Sequence, residues 1–211
     1  MHPAAGPLNS GVRRQGDFMS IVANYARLTP AQVSELVAQS GSDPHSVVSS
    51  LPGAETIDVD RSWGPMAWLA SSTKRMEDEH NWRVMAEPDL DDSFIAESNA
   101  RLDAAHVDLP LIAIEGRSEN RIEAIDTGMG SAALFDPAEV QDLSAALHAL
   151  QDSVLRSALN PPLMDEMQVF PGYWEEETDL LDTYIIPNLH KLRDFYAKAA
   201  SARQAVVVWY T

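Results

Sequence analysis

The end of the chain constrains the fold more than any other part of it. Gln204 to Tyr210 closes the sequence as a β-branched strand, and Val206-Val207-Val208 would be hazardous as an exposed edge. The run therefore belongs inside a sheet, with partners drawn from earlier in the chain. A long helix precedes it, from about Thr178 to Ser201, with Leu181, Ile185, Leu189, Leu192, Tyr196 and Ala199 on one face. Pro187 lies inside that pattern and should kink the helix or split it in two.

Three segments offer themselves as partner strands: Ser20 to Leu28, the apolar run Leu109 to Glu115 bounded by Gly116, and a short stretch from Ile122 to Ile125. Ile57-Asp58-Val59-Asp60 alternates apolar and acidic residues and leads into a short helix beginning at Ser62 or Gly64. Helix starts are marked by capping residues. Thr29-Pro30-Ala31-Gln32 supplies a cap, a proline where its missing N–H costs nothing, and a reciprocal Gln, with Val33, Leu36 and Val37 as the buried stripe. Asp43-Pro44 repeats the signal for a helix to about Leu51, which Pro52-Gly53 breaks. Asp136-Pro137-Ala138-Glu139 is the clearest capping box and opens a helix carrying Val140, Leu143, Leu147 and Leu150; Asn160-Pro161-Pro162 ends that region. Residues 74–108 scatter acids among few apolar runs and read as surface helical turns with a loop around Pro88.

The expected architecture is α+β, a single compact domain over residues 19–211. A small mixed or antiparallel sheet packs with several helices, and the long C-terminal helix is followed by the final strand. Residues 1–18 mix Pro, Gly, Asn and Arg without periodicity and read as a flexible tail or an upstream start codon. At 211 residues one domain is the better prior, burying about 70% of the surface its unfolded chain exposes.

Composition narrows the chemistry. With no cysteine there are no disulfides, thiol nucleophiles or thiolate metal sites, which fits a reducing cytosol. The apolar stretch Ala205 to Tyr210 is far too short to span a bilayer, and the first residues lack the apolar core of a signal peptide, so a cytoplasmic location is the default. A net charge of −17 repels phosphate backbones and anionic lipid surfaces, which argues against nucleic acid and membrane partners. The same charge suits a basic protein partner, and plain solubility explains it equally well.

Motifs for catalysis are wanting. No two histidines stand at metal-ligand spacing, and Glu77 with His80 is an isolated pair, so no metal or cofactor is expected. Gly128-Met129-Gly130-Ser131 lacks the lysine of a phosphate loop and the third glycine of a dinucleotide fingerprint; it reads as a turn feeding the Asp136 helix. Asp58 and Asp60, on one face of a strand roughly 7 Å apart, could bind a cation or divide acid and base roles. The plainer reading is that one caps the next helix while the other pairs with Arg61. Trp63 and Trp68 fit the core. Pro171-Gly172-Tyr173-Trp174 is a turn followed by Glu175-Glu176-Glu177. Its rings either line a groove rim beside acids, suited to cationic or peptide ligands, or tuck Trp174 under the last helix.

Taken in order, Met19 to Leu28, Asp58-Val59-Asp60-Arg61-Ser62-Trp63, the Asp136 helix, Met167-Gln168-Val169-Phe170-Pro171-Gly172-Tyr173-Trp174, the long helix and the Val206-Val207-Val208 strand resemble the YfbM-like bacterial family, a domain-of-unknown-function family (DUF 1877). The resemblance covers most of residues 19–211 and implies a compact α+β bacterial cytoplasmic protein; it supplies no reaction. The family shows a histidine and a Thr-Gly pair soon after the Trp63 segment, where this chain reads Ala67-Trp68-Leu69-Ala70-Ser71. A catalytic role for that histidine in relatives would be lost here. The expectation is a non-catalytic acidic binding protein, antitoxin- or immunity-like in one version, engaging a partner through Asp58, Asp60, Arg61, Trp63, Tyr173, Trp174 and Glu175. The alternative is a small-molecule binder or enzyme with a cleft around Asp58, Asp60, Arg61 and the Tyr173–Trp174 turn. A structural homo-oligomer is a third reading, and the oligomeric state is left open.

Overall fold

The structure is a computed structural model that describes residues 21–39, 44–87, 89, 91–105, 108–126 and 129–211. The expected tail over residues 1–18, Asp43, Pro88 and Gly128 lie outside the described residues. The closing run forms β5 (Ala205–Tyr210) and sits in the middle of one five-stranded sheet of order β2-β1-β5-β4-β3. Its neighbours are β1 (Ala23–Leu28), pairing Ala26 with Val207, and β4 (Ser131–Phe135), pairing Leu134 with Val207. The outer strands are β2 (Glu55–Asp58) and β3 (Arg121–Asp126). Every pairing is antiparallel.

A strand at the centre of a sheet covered on both faces can be apolar at consecutive positions, and this one is. Val206 and Val208 join the larger core, while Val207 and Trp209 join a second cluster on the opposite face. The larger side is built by α3 (Trp63–Ala70), α6 (Leu109–Glu115), α7 (Pro137–Ala149) and α10 (Ile186–Ser201). The smaller side is closed by α1 (Pro30–Ala38) and α2 (Pro44–Ser50), which contribute Leu36, Val47 and Val48. The α1 capping box forms as its sequence dictates, but Val37 is 51% exposed, so the buried stripe of that helix rests on Leu36 with Val33 half-buried.

The expected strand from Leu109 to Glu115 is instead the helix α6. Asp108 accepts from the Leu111 N–H, Pro110 lies in the first turn, and Gly116 at φ +60° ends it, so both boundaries carry helix chemistry. The last carbonyls of α6 are then satisfied one by one. Ile112 accepts the Gly116 and Arg117 amides; Ala113 accepts the Tyr196 hydroxyl at 3.1 Å, Ile114 that of Tyr25, and Glu115 that of Tyr210 at 2.8 Å. The sheet's place next to β5 goes to β4, which occupies chain read as part of a turn.

Residues 74–108 form more regular structure than expected. They build most of a hairpin of α4 (Ser72–Ala86) and α5 (Asp92–Asp103), neither helix holding a fully buried residue. Arg83 stacks 4.0 Å from the Phe94 ring, and His80 Nδ1 lies 2.7 Å from Ser98 Oγ. Asn160-Pro161-Pro162 opens α9 (Pro161–Glu166) rather than simply ending a region, and α8 (Asp152–Ala158) lies between it and α7. Pro187, expected to kink or split the long helix, is instead taken up without a break: a π-helical turn over Leu181–Ile185 runs directly into α10, whose first turn holds the proline.

Candidate functional site

The segment after β2 departs from the strand geometry read from sequence. Alternation would have placed Asp58 and Asp60 on one strand face, but the strand ends at Asp58. Asp60 takes φ +50° and opens a 3₁₀ turn to Ser62. Local hydrogen bonding is the cause: Asp58 Oδ1 accepts the Asp60 N–H at 3.1 Å, an Asx turn that competes with the sheet ladder. Tyr184, from the π-helical turn, fixes the other side of the bend. Its hydroxyl donates to Asp60 Oδ2 at 2.8 Å and accepts the Arg61 N–H at 3.2 Å. Burial, then the bond to Asp60, raises the Tyr184 pKa, so the phenol stays a donor. Asp58 Oδ2 also lies 3.9 Å from Lys191 Nζ on α10.

The second half of the site is the turn after α9. Asp165 accepts the N–H groups of Trp174 at 2.7 Å and Glu175 at 3.0 Å, holding the turn closed on its own stem. Trp174 is 2% exposed and its indole N–H donates to the Val169 carbonyl at 2.9 Å. Its ring is a core anchor, not part of a rim. Trp63 likewise serves the sheet: its ring packs edge-on against Tyr210 and its indole N–H donates to the Ile21 carbonyl at 3.0 Å. What the turn presents to solvent is Phe170 at 37% exposure and Tyr173 at 40%, followed by the exposed Glu175-Glu176-Glu177 run.

The two halves meet through Arg61. Its guanidinium lies 5.4 Å from the centroid of the Phe170 ring, within cation–π range. Arg61 thereby brings the bend after β2 against the Phe170 end of the Tyr173 turn, while Trp63 and Trp174 pack inward. Tyr184, Phe170 and Asp165 were missed as participants. Phe170 stands in the quoted turn motif, but no local signal marks Tyr184, which reaches Asp60 across 124 positions. Chemically the surface offers carboxylates, an aromatic face and a phenol that donates. Among the described residues no three His, Asp or Glu side chains converge to hold a metal ion. Two open grooves lie elsewhere. One of about 490 Å³ is lined by Arg27, Asp194 and Lys198; another of about 690 Å³ is lined by Met76, Leu109, Ala146 and Val154.

A sequence profile described as Domain of unknown function (DUF1877) matches residues 19–209. The chain belongs to the DUF1877 family. The crystal structure of YfbM, a protein of unknown function from Escherichia coli, resembles this DUF1877 chain with a TM-score of 0.56 at 16% identity, covering 89% of this chain and 98% of that one. Likeness at that identity speaks to the fold. No curated protein matches significantly. Where the family resemblance implied a histidine and a Thr-Gly pair, this DUF1877 chain buries Ala67, Trp68 and Leu69 in α3, and the Ser71 hydroxyl accepts the Lys74 N–H to start α4. Among the described residues, no helix is long and apolar enough to cross a membrane.

Proposed function

We propose that this DUF1877 protein is a non-catalytic binding protein whose Phe170–Glu177 turn, with Asp58 and Asp60 beside it, docks a basic protein partner. One concrete form is an antitoxin- or immunity-like protein that masks a basic surface. The observation that carries the reading is the construction of the turn. Asp165 and the buried Trp174 anchor it from below, so the exposed Phe170 and Tyr173 rings stand beside acids at little ordering cost on binding. A net charge of −17 adds long-range steering toward a cationic surface. The test is affinity capture from the native lysate, with wild-type protein and a Phe170→Ala/Tyr173→Ala variant washed at low and high salt. A stoichiometric basic protein held by the wild type, released by salt and absent from the variant, supports the proposal. Equal capture by both proteins contradicts it.

A second reading, a small-molecule site or enzyme cleft, draws on the meeting of Asp60, Arg61, Tyr184 and Phe170 from separate parts of the chain. It requires a thermal-shift response to a metabolite or metal that Asp60→Asn abolishes.

A further inference from the structure

We infer that the outer edge of β2 is where an extended, basic segment of the partner joins the sheet, its backbone pairing with Thr56 and Asp58. The inference rests on the binding reading above and names the conformation and residue pattern of what binds.

The register shows which backbone groups are open. The Val59 N–H donates to the Ala23 carbonyl at 3.1 Å, and β2 runs antiparallel to β1 from there, with Tyr25 against Ile57 and Arg27 against Glu55. Hydrogen-bonded pairs alternate along such a ladder. Glu55 and Ile57 therefore turn their N–H and C=O groups toward β1, and Thr56 and Asp58 turn theirs outward. No described residue bonds to those outward groups, and both residues are exposed. The opposite edge of the sheet is less receptive, because the register of β3 breaks between Ile122 and Asp126, and such a bulge blunts an edge. The β1–β2 register is unbroken.

Side chains say what fits. Thr56 and Asp58 share one face of the strand, so the residues of an added strand opposite them meet a hydroxyl and a carboxylate. Asp58 Oδ2 faces Lys191 Nζ at 3.9 Å with both groups about half exposed, a pair that opens at little cost. The residue between points to the other face, where the half-buried Ile57 packs on the larger core, and an apolar side chain there extends that core. The matching segment thus alternates, with Lys or Arg opposite Asp58. A second copy of the chain could offer the same edge, but it brings another net charge of −17 with it, which favours the cationic occupant. β2 leads into the bend whose Arg61 contacts Phe170 of the docking turn.

Fluorescence anisotropy with the full chain and a labelled Lys-Val-Lys-Val-Lys-Val-Lys peptide tests this, beside the same peptide N-methylated at its lysines. Wild type is compared with Thr56→Pro and Thr56→Val. Proline removes an N–H that points away from β1 and is tolerated on an edge strand, whereas valine keeps the donor. The expected result is that wild type and Thr56→Val bind within about twofold of each other. Thr56→Pro and the N-methylated peptide should each lose about tenfold or more. Amide exchange of wild type, read by NMR, should show Thr56 and Asp58 newly protected by the peptide while Glu55 and Ile57 are unchanged, a result that stands even if Thr56→Pro fails to fold. Binding that survives both Thr56→Pro and N-methylation, without protection at Thr56 and Asp58, overturns the edge role, and so does the absence of peptide binding at low salt. Protection of those amides that rises with protein concentration alone gives the edge to a second copy and overturns the basic occupant. A native partner held by Thr56→Pro yet released by Phe170→Ala/Tyr173→Ala leaves the binding reading standing without the edge.

Discussion

Three phenols close the C-terminal end of α6, and their burial sets how they titrate. Desolvation comes first among the causes that raise Tyr25, Tyr196 and Tyr210 above the ordinary value of 10.0, and it also leads for Tyr184. A pKa raised in the folded state contributes stability that is full below the unfolded value and is lost as pH climbs through the folded one. An absorbance titration of the phenolates should therefore show these four of the five tyrosines protonated past pH ~10.5 until the chain unfolds. Phenolate signal from Tyr25, Tyr184, Tyr196 or Tyr210 in the folded protein, assigned with the matching Tyr→Phe variants, would contradict the arrangement. Removing one hydroxyl by Tyr196→Phe strands the buried Ala113 carbonyl and should cost about 1–3 kcal/mol in denaturant unfolding. Gly116 is equally constrained. A Cβ there would stand 2.9 Å from Val208 Cβ on the central strand, at a φ of +60° that side chains rarely adopt. Gly116→Ala should lower stability by about 1–3 kcal/mol, and a neutral result in the same denaturant assay would mean that β5 yields more easily than its packing suggests.

At the scale of elements, the α4–α5 hairpin stands apart from the core. Without fully buried residues it depends on surface fastenings, chiefly the two-pronged Arg117–Glu77 pair at 2.6 and 2.7 Å. Hydrogen exchange should release α4 and α5 amides well before those of β5, and uniform protection across all three would refute that order. The hydrogen-bonded Arg117 holds the Glu77 carboxyl below its usual range. Its contribution is thus present above about pH 4.3 and lost as pH falls through the lowered folded value. Protection of the α4 amides, taken relative to their intrinsic exchange rate at each pH, should fall there and not at neutral pH.

The same scale shows what a sequence can and cannot disclose. Capping chemistry was legible at Thr29 and at Asp136, each followed by a proline. Asp108 caps α6 with Pro110 in its first turn, yet the run Leu109 to Glu115 reads as a strand from sequence, because a short apolar run does not distinguish a buried strand from a buried helix. Ser131-Ala132-Ala133-Leu134-Phe135 has weak strand propensity; it becomes β4 because β3 and β5 flank it, which no local pattern records. Half of the site was legible for the same reason. Asp58, Asp60, Arg61 and Tyr173 are local signals, whereas Tyr184 joins them only through tertiary structure, and Trp174 is withdrawn by a hydrogen bond to Val169.

Across the whole molecule, the closing strand explains the architecture. Its paired valines and Trp209 need apolar cover on two faces, so the sheet lies between a thick helical layer and the thin α1–α2 layer. That arrangement pushes the acids outward and leaves the Phe170–Glu177 turn on the surface, pinned from within. On the function proposed above, binding is electrostatic and local to that turn. The most direct test is to titrate the captured partner against wild-type protein and against a Glu175→Lys/Glu176→Lys/Glu177→Lys variant across a range of salt. The account predicts that the variant loses at least an order of magnitude in affinity at low salt and most of the salt dependence with it. Affinity and salt slope unchanged by the reversal would contradict it, because the partner would then be docking on another face.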